Sequence, residues 1–143
     1  MFTGLIEEVG FISDIQLLPN GKRFRIACKD ILNDVRIGDS ISVSGACQTV
    51  EEFNAEGFTI FSIPETLAVT NFAHFKSGTR VNLERALRMG DMPYGSYPDP
   101  QTGFRNAARV MVEGDCAMVK VEGAGHVIDI IRYLSERDIP VCA

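Results

Sequence analysis

The sequence predicts a closed antiparallel β-barrel over residues 1–88, followed by an α/β segment over residues 89–143. Three observations predict it. Short runs of alternating apolar and polar residues, punctuated by Gly, Asn and Pro, fill the first part. After Arg88 the apolar spacing lengthens from two to three or four. A 45% hydrophobic content over 143 residues supplies a core.

Taken in order, the strand candidates are residues 5–12, 23–27, 40–50, 57–63 and 80–83. Pro19-Asn20-Gly21 separates the first two, and Asn54-Ala55-Glu56-Gly57 separates the third and fourth. Ile41 and Val43 alternate with Ser40, Ser42 and Ser44, the period of a half-buried strand. Short helical turns are expected over 30–33 and 65–70. In the second part, Asp99-Pro100 reads as an N-cap followed by proline at the first helical position. Phe104, Ala107, Ala108 and Met111 then repeat at helical spacing, and Gly114 closes the helix. Residues 117–121 form a short apolar strand. Val127, Ile130, Ile131 and Leu134 make a second stripe ended by residues 137–140, and a further strand begins over 139–142. Helix, strand, helix, strand is the order of parallel β/α units.

Composition narrows the function. A net charge of −5 with no basic patch argues against nucleic acid and anionic membrane as partners. No apolar run approaches the ~18 residues of a membrane span. The opening MFTGLIEEVG carries acid where a signal peptide needs base, so a cytoplasmic protein is expected. Cys28, Cys47, Cys116 and Cys142 lie far apart with no Cys-x-x-Cys pair, and His74 and His126 are separated. Free thiols and no metal site are expected.

Particular motifs say more. MFTGLIE, GDSISVSGACQTV, PETLAVTNF and VNLERAL, in order over roughly residues 1–88, resemble the N-terminal lumazine-binding domain of riboflavin synthase. DMPYGSY, NAARVM, MVKVEG and RYLSERDIPVC, over about residues 90–143, resemble ketopantoate hydroxymethyltransferase, a (β/α)8-barrel enzyme of pantothenate biosynthesis. The two resemblances abut near Met89-Gly90. No pathway logic joins them, so the chain reads as a recombined or engineered chimera, with a genuine fusion or a cloning accident as alternatives.

The first resemblance implies a six-stranded Greek-key barrel. Riboflavin synthase moves a four-carbon unit between two dimethyl-ribityllumazine molecules, requires no cofactor, and holds each ligand between two barrels. It implies ligand contacts at Gly4, Leu5 and Ile6; at Cys47, Gln48 and Thr49; and at Phe61, Ser62, Ile63, Pro64, Glu65 and Thr66. Ser40 and Cys47 match positions implicated in the reaction. Backbone amides and the Thr49 hydroxyl suit the heterocycle, and Glu65 and Thr66 suit ribityl hydroxyls. Without the resemblance, Cys47 reads as a small buried hydrophobe, Thr49 as an ordinary strand residue and Glu65 as a helix-start carboxylate. Gln48 replaces the leucine common in the family, and the family's second barrel and its histidine-bearing segment after VNLERAL are absent.

The second resemblance implies that Asp91 is a vestigial metal ligand and that Lys120 and Glu122 are vestigial substrate contacts. A hard cation needs more oxygen ligands than Asp91 alone supplies, so no transferase activity is expected. Apolar stripes and the strand edges of this short segment favour a homodimer. The leading expectation is a module that binds riboflavin or dimethyl-ribityllumazine. Its rivals are a residual riboflavin synthase in a homodimer and a folded chimera with no ligand.

Overall fold

The computed structural model describes all 143 residues. It divides into two compact units, Phe2–Ala86 and Leu87–Ala143 with Met1.

In the first unit, β1 (Glu8–Leu18), β2 (Gly21–Ala27), β3 (Ser40–Val43), β4 (Ala46–Asn54), β5 (Gly57–Ser62) and β6 (Arg80–Arg85) close into a barrel in the order β1-β2-β5-β4-β3-β6. Every pairing is antiparallel. The hairpin-linked strands β3, β4 and β5 with β6 returning beside β3 make the Greek key. Alternation fills the interior: Phe24 and Ile26, Ile41 and Val43, Phe58 and Ile60, Val81 and Leu83 are all buried. Phe72 and Phe75 pack on Phe24, the two rings edge-on to it at 5.7 and 6.0 Å. The Glu8 carboxylate accepts from the Lys29 and Ile31 amides at 2.7 and 3.0 Å, tying β1 to the 3₁₀ turn Asp30–Asp34. Helix α1 (Pro64–Val69) follows β5 directly, with proline in its first turn.

Several boundaries differ from the sequence reading. The single strand expected over 40–50 is two strands, reversed at Ser44-Gly45. Both turn residues have positive φ (48° and 90°), the geometry that suits a two-residue hairpin. Ser44 tolerates it because its amide donates to the Asn82 carbonyl at 2.7 Å and its Oγ accepts from the Asn82 amide at 3.3 Å. The first strand starts at Glu8 rather than at residue 5, because the preceding segment is held by side-chain bonds described below. Ile63 leaves β5 to become the N-cap of α1.

In the second unit, β7 (Met89–Asp91), β8 (Met118–Lys120) and β9 (Val141–Cys142) form a parallel sheet in that order. Helices α2 (Pro100–Gly114) and α3 (Val127–Ser135) are the crossovers between them. Strand β7 is missing from the sequence reading, since three residues centred on a glycine carry no alternation. The Asp99 side chain caps α2 by accepting from the Thr102 amide at 2.9 Å. The helix runs through Gly114, and Asp115 supplies the left-handed C-cap (φ 49°) assigned above to that glycine. Ala107, Val119, Val121, Val127, Ile130 and Leu134 form the core of this unit. No helix of the protein is long and apolar enough to cross a membrane.

Candidate functional site

The hairpin at Ser44-Gly45 decides which side chains of β3 and β4 face out. Ile41 and Val43 point inward on β3; across the turn the inward positions of β4 are Gln48 and Val50, while Cys47 and Thr49 are exposed. The register pairs Ser42 with Cys47 and Ser40 with Thr49, and on the other side pairs Ser42 with Glu84 of β6. Glu84, Ser42 and Cys47 therefore form one row across the outer face of three strands, with Ser40 and Thr49 in the next row. Phe61 continues this face on β5, opposite Arg23 of β2. The Arg23 guanidinium is fixed by Glu51 at 2.8 Å.

The segment before β1 lies along this face. Glu84, only 7% exposed, accepts from the Thr3 hydroxyl at 2.7 Å, from the Thr3 amide and from the Gly4 amide at 3.0 Å. These bonds, the Thr3 hydroxyl first, hold its carboxyl below the usual glutamate range. The strap and strands enclose a groove of about 550 Å³ lined by residues that include Phe2, Gly4, Ile6, Ser42, Asn82 and Glu84. That size is within the roughly 300–1,000 Å³ of small-molecule sites.

The expected contact residues are thus distributed unevenly. Gly4 and Ile6 line the groove, whereas Leu5 projects into solvent. Cys47, Thr49 and Ser40 share the outer face, and the exposed Cys47 departs from its reading as a buried hydrophobe. Gln48 and Ser62 point into the barrel, where Ser62 Oγ donates to Gln48 Oε1 at 2.8 Å. Ile63, Pro64 and Glu65 are exposed at the start of α1, and the Thr66 carbonyl accepts from the Thr70 hydroxyl at 2.7 Å. The sequence reading missed Glu84, Ser42 and Asn82. For Asn82 and Glu84 the signal lies in VNLERAL, where inward Val81 and Leu83 leave them on the other side of the strand.

In the second unit, Asp91 and Lys120 are register partners at the C-terminal ends of β7 and β8. Lys120 Nζ lies 3.7 Å from Asp91 Oδ1 and closer still to Glu122. The bond to Glu122, then the charges of Glu122 and Asp91, hold the ammonium above its usual range. No cluster of three His, Cys, Asp or Glu side chains gathers there or elsewhere. The Tyr97 hydroxyl donates to the Glu122 carbonyl at 2.9 Å, joining the loops that follow β7 and β8.

Comparison with known proteins finds two families, whose matches overlap in the middle of the chain. Residues 3–86 match the lumazine binding domain family, and residues 54–143 match the ketopantoate hydroxymethyltransferase family. Over the overlap, 54–86, the structure is barrel: β5, α1 and β6. Riboflavin synthase of Schizosaccharomyces pombe is 45% identical over 95 residues, covering 63% of this chain and 46% of its own length. The Bacillus subtilis riboflavin synthase is 44% identical over 87 residues, covering 61% and 40%. The 3-methyl-2-oxobutanoate hydroxymethyltransferase of Chelativorans sp. is 45% identical over 100 residues, covering 68% and 36%. The chain spans less than half the length of each of these relatives. Among solved structures, LumP complexed with 6,7-dimethyl-8-(1'-D-ribityl) lumazine aligns with a TM-score of 0.56 at 29% identity, covering 60% of this chain and 49% of that one. LumP complexed with riboflavin gives the same score at 28% identity, covering 59% and 46%.

Proposed function

Because the chain belongs to the lumazine binding domain family through residues 3–86 and to the ketopantoate hydroxymethyltransferase family through residues 54–143, we propose that it is a flavin- and lumazine-binding module with a non-catalytic α/β segment. The observation that carries this reading is the continuous outer face of Glu84, Ser42, Cys47, Ser40, Thr49 and Phe61, with the strap groove beside it. The likeness to LumP, whose structures hold dimethyl-ribityllumazine and riboflavin, supports the same ligand class here. Thr49 and backbone groups near the ends of β4 and β5 offer the heterocycle its polar contacts, and Glu65 and Thr66 offer them to the ribityl chain. One barrel supplies half of a ligand cage of the family type, so two copies of the chain face each other as a homodimer. In the α/β segment, Lys120 is engaged by Glu122 and Asp91, which supports reading that trio as local ion pairing.

Titration of riboflavin against the protein, followed by flavin fluorescence and paired with size exclusion, tests the reading. Saturable quenching at micromolar ligand by a dimer is expected; a folded protein that leaves flavin emission unchanged refutes it. A second reading, residual riboflavin synthase activity, is favoured by one observation: Ser40 and Cys47 face outward on adjacent strands. Turnover of dimethyl-ribityllumazine that is abolished by Cys47→Ser would establish it, and the absence of turnover removes it.

A further inference from the structure

Two residues matched to ligand contacts do not face the ligand side, and their geometry assigns them another part. Gln48 is 6% exposed and Ser62 1%. The Ser62 hydroxyl donates to Gln48 Oε1 at 2.8 Å, while Gln48 Nε2 turns back and donates to the Cys47 carbonyl at 2.8 Å. Their position along the strands matters. The register between β4 and β5 runs from Asn54↔Gly57 to Val50↔Ile60 and ends there. Two residues further along each strand the backbone pairing has stopped, and the Gln48–Ser62 side-chain bond joins the strands instead. Immediately beyond, β5 gives way to Ile63 and the first turn of α1.

A buried amide oxygen with a single donor is costly to leave unpaired, so the bond holds the strands at one separation. A leucine at position 48 could fill the same space, but apolar contact has no direction and tolerates a range of spacings. Thr49 on β4 and Phe61 on β5 each lie one residue from the bond and project to the opposite side of their strands. We propose that Gln48 and Ser62 are positioning residues: a buried clasp that sets the distance between Thr49 and Phe61–Ile63 and thereby the affinity for a flavin or lumazine, without touching it. The inference rests on the binding reading above and refines it.

The test is a double-mutant cycle of Gln48→Leu, Ser62→Ala and the double variant, each titrated with riboflavin at 25 °C and melted by circular dichroism without ligand. Each single variant is expected to weaken Kd about tenfold, and the double no more than either, because both act through one bond. A Gln48→Leu protein that melts no lower than the parent yet binds tenfold more weakly is a result that a purely structural role does not give. Should Ser62→Ala fail to fold, Gln48→Leu, which keeps the apolar volume, decides the matter alone. Variants that bind as the parent does, or losses that add in the double, overturn the clasp while leaving the binding reading intact. A parent protein that does not bind riboflavin overturns the binding reading, and the clasp with it.

Discussion

Gly90→Ala separates the two units by function. A Cβ at Gly90 would sit 2.1 Å from Val110 Cγ1 and 3.2 Å from Cys116 Sγ. Carbon atoms in ordinary contact stand about 3.5–4.0 Å apart, so the strand and α2 must part by well over an ångström at this point. Val110 cannot swing clear at low cost, because a β-branched side chain in a helix has one strongly preferred rotamer. Overpacking of this kind costs roughly 1–3 kcal/mol. In a unit of fewer than about 60 residues, total stability is only a few kcal/mol. The substitution should therefore leave a substantial fraction of the α/β unit unfolded. The readout is clean, since α2 and α3 lie in this unit and the barrel's α-helix is the six-residue α1. Ellipticity at 222 nm should fall sharply, while riboflavin Kd stays within about twofold of the parent. If affinity collapses together with the helical signal, ligand binding depends on the α/β unit and the assignment of the site to the barrel alone is wrong.

Three further outcomes are expected. Gly57→Ala should remove more than about 3 kcal/mol of barrel stability, because its Cβ would lie 2.0 Å from the Ile26 carbonyl oxygen at a φ of +153°; an unchanged urea midpoint would contradict the β2–β5 register. For Glu84, a depressed pKa means that the folded state favours the charged carboxylate, so its hold on the strap is complete above the ordinary value of 4.5 and is lost as pH falls below it. Exchange protection of the Thr3 and Gly4 amides should persist down to that pH and disappear under more acidic conditions, whereas loss beginning near pH 6 would show that Glu84 is not the latch. Burial, then the charge of Glu8, pushes the Cys28 thiol up to about 12. At pH 8 a disulfide reagent should leave Cys28 untouched and modify exposed Cys47, with riboflavin slowing the Cys47 phase; equal rates with and without riboflavin would place the ligand elsewhere.

What the sequence made legible, and what it hid, turns on one hairpin. Alternation along Ile41 and Val43 reveals a strand, and the turn residues Pro19-Asn20-Gly21 and Asn54–Gly57 sit where the chain reverses. Likewise the 3.6-residue stripes of α2 and α3 bury Ala107, Val127, Ile130 and Leu134. The reversal at Ser44-Gly45 is hidden because serine alternates there with apolar residues just as it does within the strand. Only the positive φ of both residues, with Ser44 bonded to Asn82 on the neighbouring strand β6, exposes it. The consequence reaches the site. Read as one strand over 40–50, Cys47 and Thr49 share the parity of Ile41 and Val43 and point into the core. A two-residue turn shifts that parity by one position, which sends Cys47 and Thr49 outward and brings Gln48 inward. The positions carried by family motifs therefore split into an exposed and a buried set that spacing alone does not separate. Cys47 and Thr49 are exposed on the outer face, while Gln48 and Ser62 are buried and bonded to each other. Strand β7 was hidden for a different reason: its register partners Met118, Val119 and Lys120 lie far along the chain, and pairing at that distance leaves no mark on a three-residue segment.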